Sequence, residues 1–167
     1  AQLKKMVLTH PALLSYSVKD NMAPKFDWLQ TRLNLDDAQL KNMVVKNPGV
    51  LSSSVDANLK PKFEWLQKRL DLNDAGLRKM FLAHPPLLSL SVEDNLAPTL
   101  DWLQRRLGLD DAGLRKMVVT LPPLLSFSVE DRMEPTLQWL QTRLDLDDAE
   151  LRKVVLMKPQ LLSLSVE

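Results

Sequence analysis

Apolar residues fall into two alternating patterns along this chain, and each pattern predicts a helix. Leu40, Met43 and Val44 recur at helical spacing behind Asp36-Asp37-Ala38-Gln39, where Asp36 can cap the helix and Gln39 can complete a capping box. Pro48 lacks an N–H and biases its predecessor away from the α region, so it ends that helix after about ten residues. Val45 adds a second apolar side, which predicts packing against more than one neighbour. The second pattern is Met22, Phe26, Leu29 and Leu33, at i, i+4, i+7 and i+11, an amphipathic stripe. Ser17 is a candidate cap for this helix, but starting there puts Pro24 beyond the first turn. The spacing therefore predicts either a kink or a short separate turn before the proline.

Between the two patterns lies a corner, Pro85-Pro86-Leu87-Leu88-Ser89-Leu90-Ser91-Val92, with counterparts beginning at Pro11, Pro48, Pro122 and Pro159. Each step is 37 residues, with no insertion or deletion. Trp28, Trp65, Trp102 and Trp139 keep the same step, as do Pro24, Pro61, Pro98 and Pro135. So do Leu3, Leu40, Leu77, Leu114 and Leu151. Neither helix alone can bury its apolar arc, whereas stacked copies can. The expected fold is all-α: a solenoid of 37-residue two-helix repeats, about four and a half of them, forming one repeat domain over residues 1–167. No alternating β-branched run marks a strand. Asp147 with Glu150 repeats the capping box, while Gly76 and Gly113 remove its second half in two copies.

The set Leu77-Arg78-Lys79-Met80, His84-Pro85, Leu87-Leu88-Ser89, Asn95-Leu96-x-Pro98 and Leu100-x-Trp102-Leu103 resembles the repeat of the mitochondrial transcription termination factors, the mTERF family. The resemblance covers the whole chain. It implies helix pairs with a short 3-10 turn in each repeat, wound into a curved superhelix of left hand. It also implies nucleic-acid binding in mitochondria or chloroplasts, in transcription termination and organelle gene expression, with double-stranded DNA or RNA as partner.

Composition then narrows the chemistry. Apolar residues at 45% and charged ones at 26% are globular values. No apolar run is long enough to span a bilayer, so no membrane partner is expected. The chain has no Cys, which excludes disulfides and thiolate metal sites. Its two histidines, His10 and His84, stand two periods apart, so no serine finds a base by repeat position, and no glycine-rich phosphate loop occurs. The reading is a non-enzyme without metal or cofactor, in which Ser15 through Ser163 and Ser17 through Ser165 serve as caps. Because the chain begins at Ala1 inside one repeat and closes at Glu167 inside another, it reads as a fragment, with any targeting segment outside it.

Candidate nucleic-acid contacts are columns of basic residues. One is Lys4, Lys41, Arg78, Arg115 and Arg152; the next is Lys5, Asn42, Lys79, Lys116 and Lys153. The second column points away from Leu40 and Met43 and should be exposed. Helices stacked about 8–10 Å apart turn it into a stripe that a phosphate backbone can follow. A third column pairs Trp28, Trp65, Trp102 and Trp139 with Arg32, Arg69, Arg106 and Arg143 at i, i+4, so that each Arg can cover its Trp or bind phosphate. For the tryptophans, packing between repeats is favoured over base stacking. The residues before the corner proline vary (Thr9-His10, Lys46-Asn47, Ala83-His84, Thr120-Leu121, Met157-Lys158), as a one-base-per-repeat code would, or as a tolerant helix end would.

A formal net charge of +1 weighs against tight duplex binding and keeps two alternatives open: a protein-interaction scaffold, or an idealised repeat without a natural ligand. The ends carry one more expectation. Leu3, Met6 and Val7 at the front and Leu161, Leu162 and Val166 at the back should be exposed and allow head-to-tail self-association.

Overall fold

The computed structural model describes residues 22–164, which fall into two compact units, one ending at Ser89 and one starting at Leu90. The first holds α1 (Ala23–Leu33), α2 (Asp37–Lys46), α3 (Lys60–Leu70) and α4 (Asp74–Ala83). The second holds α5 (Ala97–Leu107), α6 (Asp111–Thr120), α7 (Glu134–Leu144) and α8 (Asp148–Met157). No strand occurs among the described residues.

Local chemistry sets the boundaries. Asp36 accepts from the Gln39 N–H at 2.7 Å and Gln39 Oε1 accepts from the Asp36 N–H at 3.2 Å, a complete capping box. Asp147 and Glu150 repeat it at 2.8 and 3.0 Å. Where Gly76 and Gly113 stand, Asn73 and Asp110 accept the single backbone bond. The other helices end on left-handed residues, Asn34, Asp71, Gly108 and Asp145, with φ between 48° and 56°. Asn and Asp tolerate that conformation better than other non-glycine residues.

Each corner among the described residues becomes a 3-10 turn headed by its proline, Pro48–Ser52, Pro85–Ser89, Pro122–Ser126 and Pro159–Ser163, while the corner at Pro11 lies outside them. Its branched residues go inward, with Val50, Leu51, Leu87, Leu88, Leu124, Leu125 and Leu162 all buried. A single π-helical turn follows, at Val55–Leu59, Val92–Leu96 and Val129–Met133. Ser54, Ser91 and Ser128 cap these turns by accepting the N–H of Ala57, Asp94 and Asp131 at 3.0–3.1 Å. The separate turn, rather than a kinked helix, is thus the outcome. The helix proper starts afresh after it and carries Pro61, Pro98 or Pro135 in its first turn, where no donor is missed. The wide turn also leaves room ahead of the pyrrolidine ring. The expected exposure of Leu161 and Leu162 is corrected: Leu162 is fully buried and Leu161 half-buried. Their turn packs on α7, α8 and the preceding π-helical turn of the same unit. Val166, Leu3, Met6 and Val7 lie outside the described residues.

Successive helix pairs pack within each unit. In the first, Phe63 is 1% exposed, its ring 5.1 Å from that of Trp28 and 4.6 Å from that of Phe81. The column that gives Trp28 therefore serves packing between repeats. Arg32 reaches past its own Trp and lies over the ring of Phe63, 6.0 Å from the centroid.

Candidate nucleic-acid interface

The basic columns divide by what their side chains touch. Arg32 on α1 donates to Asp74 at 2.6 Å and to Gln67 at 2.7 Å, one repeat further on. In the second unit Arg106 on α5 donates to both Glu134 oxygens, at 2.9 and 3.1 Å, and to Gln141 at 2.7 Å. The same guanidinium lies 4.0 Å from Asp148. The glutamines are themselves placed, Gln67 donating to Asp74 at 2.7 Å and Gln141 to Asp148 at 2.8 Å. These contacts hold the Asp74 carboxyl below its ordinary range. The Arg32 bond contributes most, then the Gln67 bond, then the Arg32 charge.

The next column is also engaged. Arg78 Nη2 donates to Gln39 at 3.0 Å and Arg152 Nη1 donates to the Gly108 carbonyl at 3.0 Å, both reaching back one repeat. Arg69 and Arg115 are half-buried. Arg143 is exposed and makes no hydrogen bond among the described residues.

The lysines behave differently. Lys41 on α2 and Lys79 on α4, like Lys116 on α6 and Lys153 on α8, are exposed and have no hydrogen-bond or ion-pair partner among the described residues. In the second unit Lys116 and Lys153 join Arg152 around an open groove of about 300 Å³, whose remaining lining is Ala149, Leu156 and Met157. Two unpaired lysines and Arg152 beside apolar side chains in one groove suit a phosphate with a sugar or base edge. Lys4 and Lys5 lie outside the described residues.

Other residues carry structure that the sequence did not point to. Asn47, 8% exposed, donates to the Pro85 carbonyl at 3.0 Å and accepts from the Ser89 hydroxyl at 2.8 Å. The variable position before the corner thus locks onto the following corner here, out of reach of a base. Lys62, 2% exposed, donates to the Leu88 carbonyl at 2.5 Å, and Lys25 does the same to Leu51. Thr136 takes over that position in the second unit, donating to Leu164 at 3.1 Å. Burial lowers the pKa of Lys25 and that of His84. The only available hint was that Lys25, Lys62, Thr99 and Thr136 share one column, all able to donate.

Among the described residues no group of three or more His, Asp or Glu side chains is arranged to hold a metal, and no helix is long and apolar enough to cross a membrane.

Helix pairs on a 37-residue period, clasped by arginine from one pair to the next within each unit and bearing exposed, unpaired lysines, define a helical-repeat protein. The sequence profile of the mTERF family matches residues 1–167, and the chain belongs to that family, with its all-α solenoid fold. The family is one of nucleic-acid-binding repeat proteins acting in gene expression, typically in organelles. No curated protein matches the chain.

Proposed function

We propose that the chain, as one repeat domain over residues 1–167, binds nucleic acid without catalysis and acts in organellar transcription termination or gene expression, in mitochondria or chloroplasts. Phosphates are met by Lys41 and Lys79 in the first unit and by Lys116, Arg152 and Lys153 in the second. The observation that carries this reading is the division of labour among the cations. Arg32 and Arg106 of the Trp column, with Arg78, are held by neighbouring repeats, while the lysines of successive first helices are exposed and unpaired. Cations without an internal partner release counterions from DNA or RNA at no cost to the fold.

The test is a salt titration of binding to duplex DNA, single-stranded DNA and RNA, before and after Lys79, Lys116 and Lys153 are all changed to Glu. Loss of three phosphate contacts lowers the slope of log K against log salt by about 2.7 for duplex DNA. An unchanged slope, with the helical signal intact, refutes this assignment of the surface.

A further inference from the structure

The two residues that vary before each corner proline have different fates. The second is held or partly covered in three repeats: Asn47 is clasped to the next corner, and His84 and Leu121 are half-buried. The first, Lys46, Ala83, Thr120 or Met157, is exposed in all four described repeats. Lys46 and Thr120 have no hydrogen-bond or ion-pair partner among the described residues, and Met157 is 70% exposed. A missing neighbour is not the cause. α6 packs against α8 within its own unit, yet Lys116 and Thr120 are exposed there as Lys153 and Met157 are on α8, and Val119 is half-buried like Leu156. The face stands clear of the stacking contacts and recurs in both units.

On each helix this residue lies one turn beyond the lysine row, at i+4 from Lys79, Lys116 or Lys153 and, in the first described repeat, from Asn42. In the second unit Lys116, Lys153 and Met157 line one groove. A lysine on a phosphate fixes register without reading sequence, and sequence is read by a residue that reaches a base edge. The residues at this position differ as base edges do. Met157, Thr120 and Ala83 offer a methyl group, which suits the 5-methyl of thymine, while the Lys46 ammonium suits the O6 and N7 acceptors of guanine. Both edges lie in the major groove of B-form DNA. RNA lacks the thymine methyl, and its deep, narrow major groove is closed to side chains.

Resting on the assignment of the lysines to phosphate, we infer that this column is the base-reading site of the chain, with duplex DNA as its ligand. Met157, Thr120 and Ala83 each take a thymine, and Lys46 takes a guanine. Met157 has the longest apolar side chain of the three and carries the largest share of the thymine preference.

Duplexes selected from a randomised DNA pool by the native chain, by Met157→Lys and by Lys46→Met give the preferred base at each position. Met157→Lys should turn one preferred thymine into guanine, and Lys46→Met should turn one guanine into thymine, with the other positions unchanged. Both sites are exposed, and circular dichroism checks that both variants keep the native helical signal. On the duplex that the native chain selects, uracil in place of the thymine that Met157→Lys switches should weaken binding about fourfold, the worth of one buried methyl group. Met157→Ser should remove that difference. A uracil duplex bound as tightly as the thymine one overturns the methyl contact. Tighter binding of RNA than of the selected duplex overturns DNA as the ligand. Base preferences that neither swap alters, or no preference at all, overturn reading by this column. In that case a salt slope that still falls when Lys79, Lys116 and Lys153 are changed to Glu leaves the phosphate row standing. A native chain that binds no nucleic acid overturns the phosphate row, and this inference with it.

Discussion

Asn47→Ala removes a side chain whose two bonds join one corner to the next. Asn47 is 8% exposed and holds the Pro85 carbonyl at 3.0 Å and the Ser89 hydroxyl at 2.8 Å. The two partners differ in what they can do afterwards. Ser89 is exposed and can turn to water, so its lost bond costs about 0.5–1 kcal/mol. Pro85 is buried, and an unsatisfied buried carbonyl costs about 1–3 kcal/mol. The expected loss is thus about 1.5–4 kcal/mol, or a shift of about 0.8–2 M in the urea midpoint for a slope of about 2 kcal/mol/M. Urea unfolding by circular dichroism measures it, with the neighbouring exposed residue as control, since Lys46→Ala should stay within about 0.5 kcal/mol. A cycle with Ser89→Ala should show coupling of about 0.5 kcal/mol or more. An Asn47→Ala loss no larger than that of Lys46→Ala, with no coupling to Ser89, refutes the clasp and returns Asn47 to the pool of tolerant helix-end positions.

Phe63→Ala empties a site stacked between Trp28 and Phe81 and should cost about 3–5 kcal/mol in thermal or urea unfolding. Phe63→Leu, the residue that Leu100 and Leu137 place in the same column, should cost about 1.5 kcal/mol or less. Acid should weaken the first unit in two windows, because His84 and Asp74 both have folded pKa values below their unfolded ones. Each group's contribution is complete above its unfolded pKa and is lost as pH falls through the folded value, first for His84 below about 6.5 and then for Asp74 below about 4. Urea midpoints from pH 7 to pH 3 check this: His84→Asn should flatten the upper window and Asp74→Asn the lower.

What the sequence made legible is what neighbouring residues decide among themselves. Asp36 and Gln39 are three residues apart, so their capping box follows from composition and helix geometry alone. The corner prolines stop their helices by covalent chemistry, and the 37-residue step then repeats the result. The choice between kink and separate turn was not legible, because it depends on how Ser54, Ser91 and Ser128 close a five-residue turn against packed neighbours. The clasps were hidden for a related reason. Asn47 and Pro85 are 38 residues apart, Arg32 and Asp74 are 42 apart, and Lys62 and Leu88 are 26 apart. A period says that two columns exist, but not which side chain of one reaches which atom of the other. Leu161 and Leu162 were misplaced on the same account. Both belong to a corner that turns inward within its own repeat, while the exposed Trp139 and Leu144 lie on α7.

The near-zero net charge of the chain is a poor guide to what its surface offers a phosphate. Acids and bases are nearly equal in number, 21 against 22, but they are not spent alike. A guanidinium is a planar fork, so Arg32 and Arg106 can each hold a carboxylate and an amide at once, and those carboxylates are thereby matched inside the protein. Other acids, such as Asp37 and Asp111, sit at helix N-termini, where a negative charge complements the dipole, and accept from Gln30 and Gln104. Lys41, Lys79, Lys116 and Lys153 are compact charges on flexible stems, left without a partner on the other side of the first helices. Stacked helices lie about 8–10 Å apart, close to the screening length of about 8 Å at physiological salt. If the proposed interface holds, each lysine meets a phosphate nearly independently of its neighbour, and the salt slope then counts the lysines engaged rather than reporting the net charge of the chain.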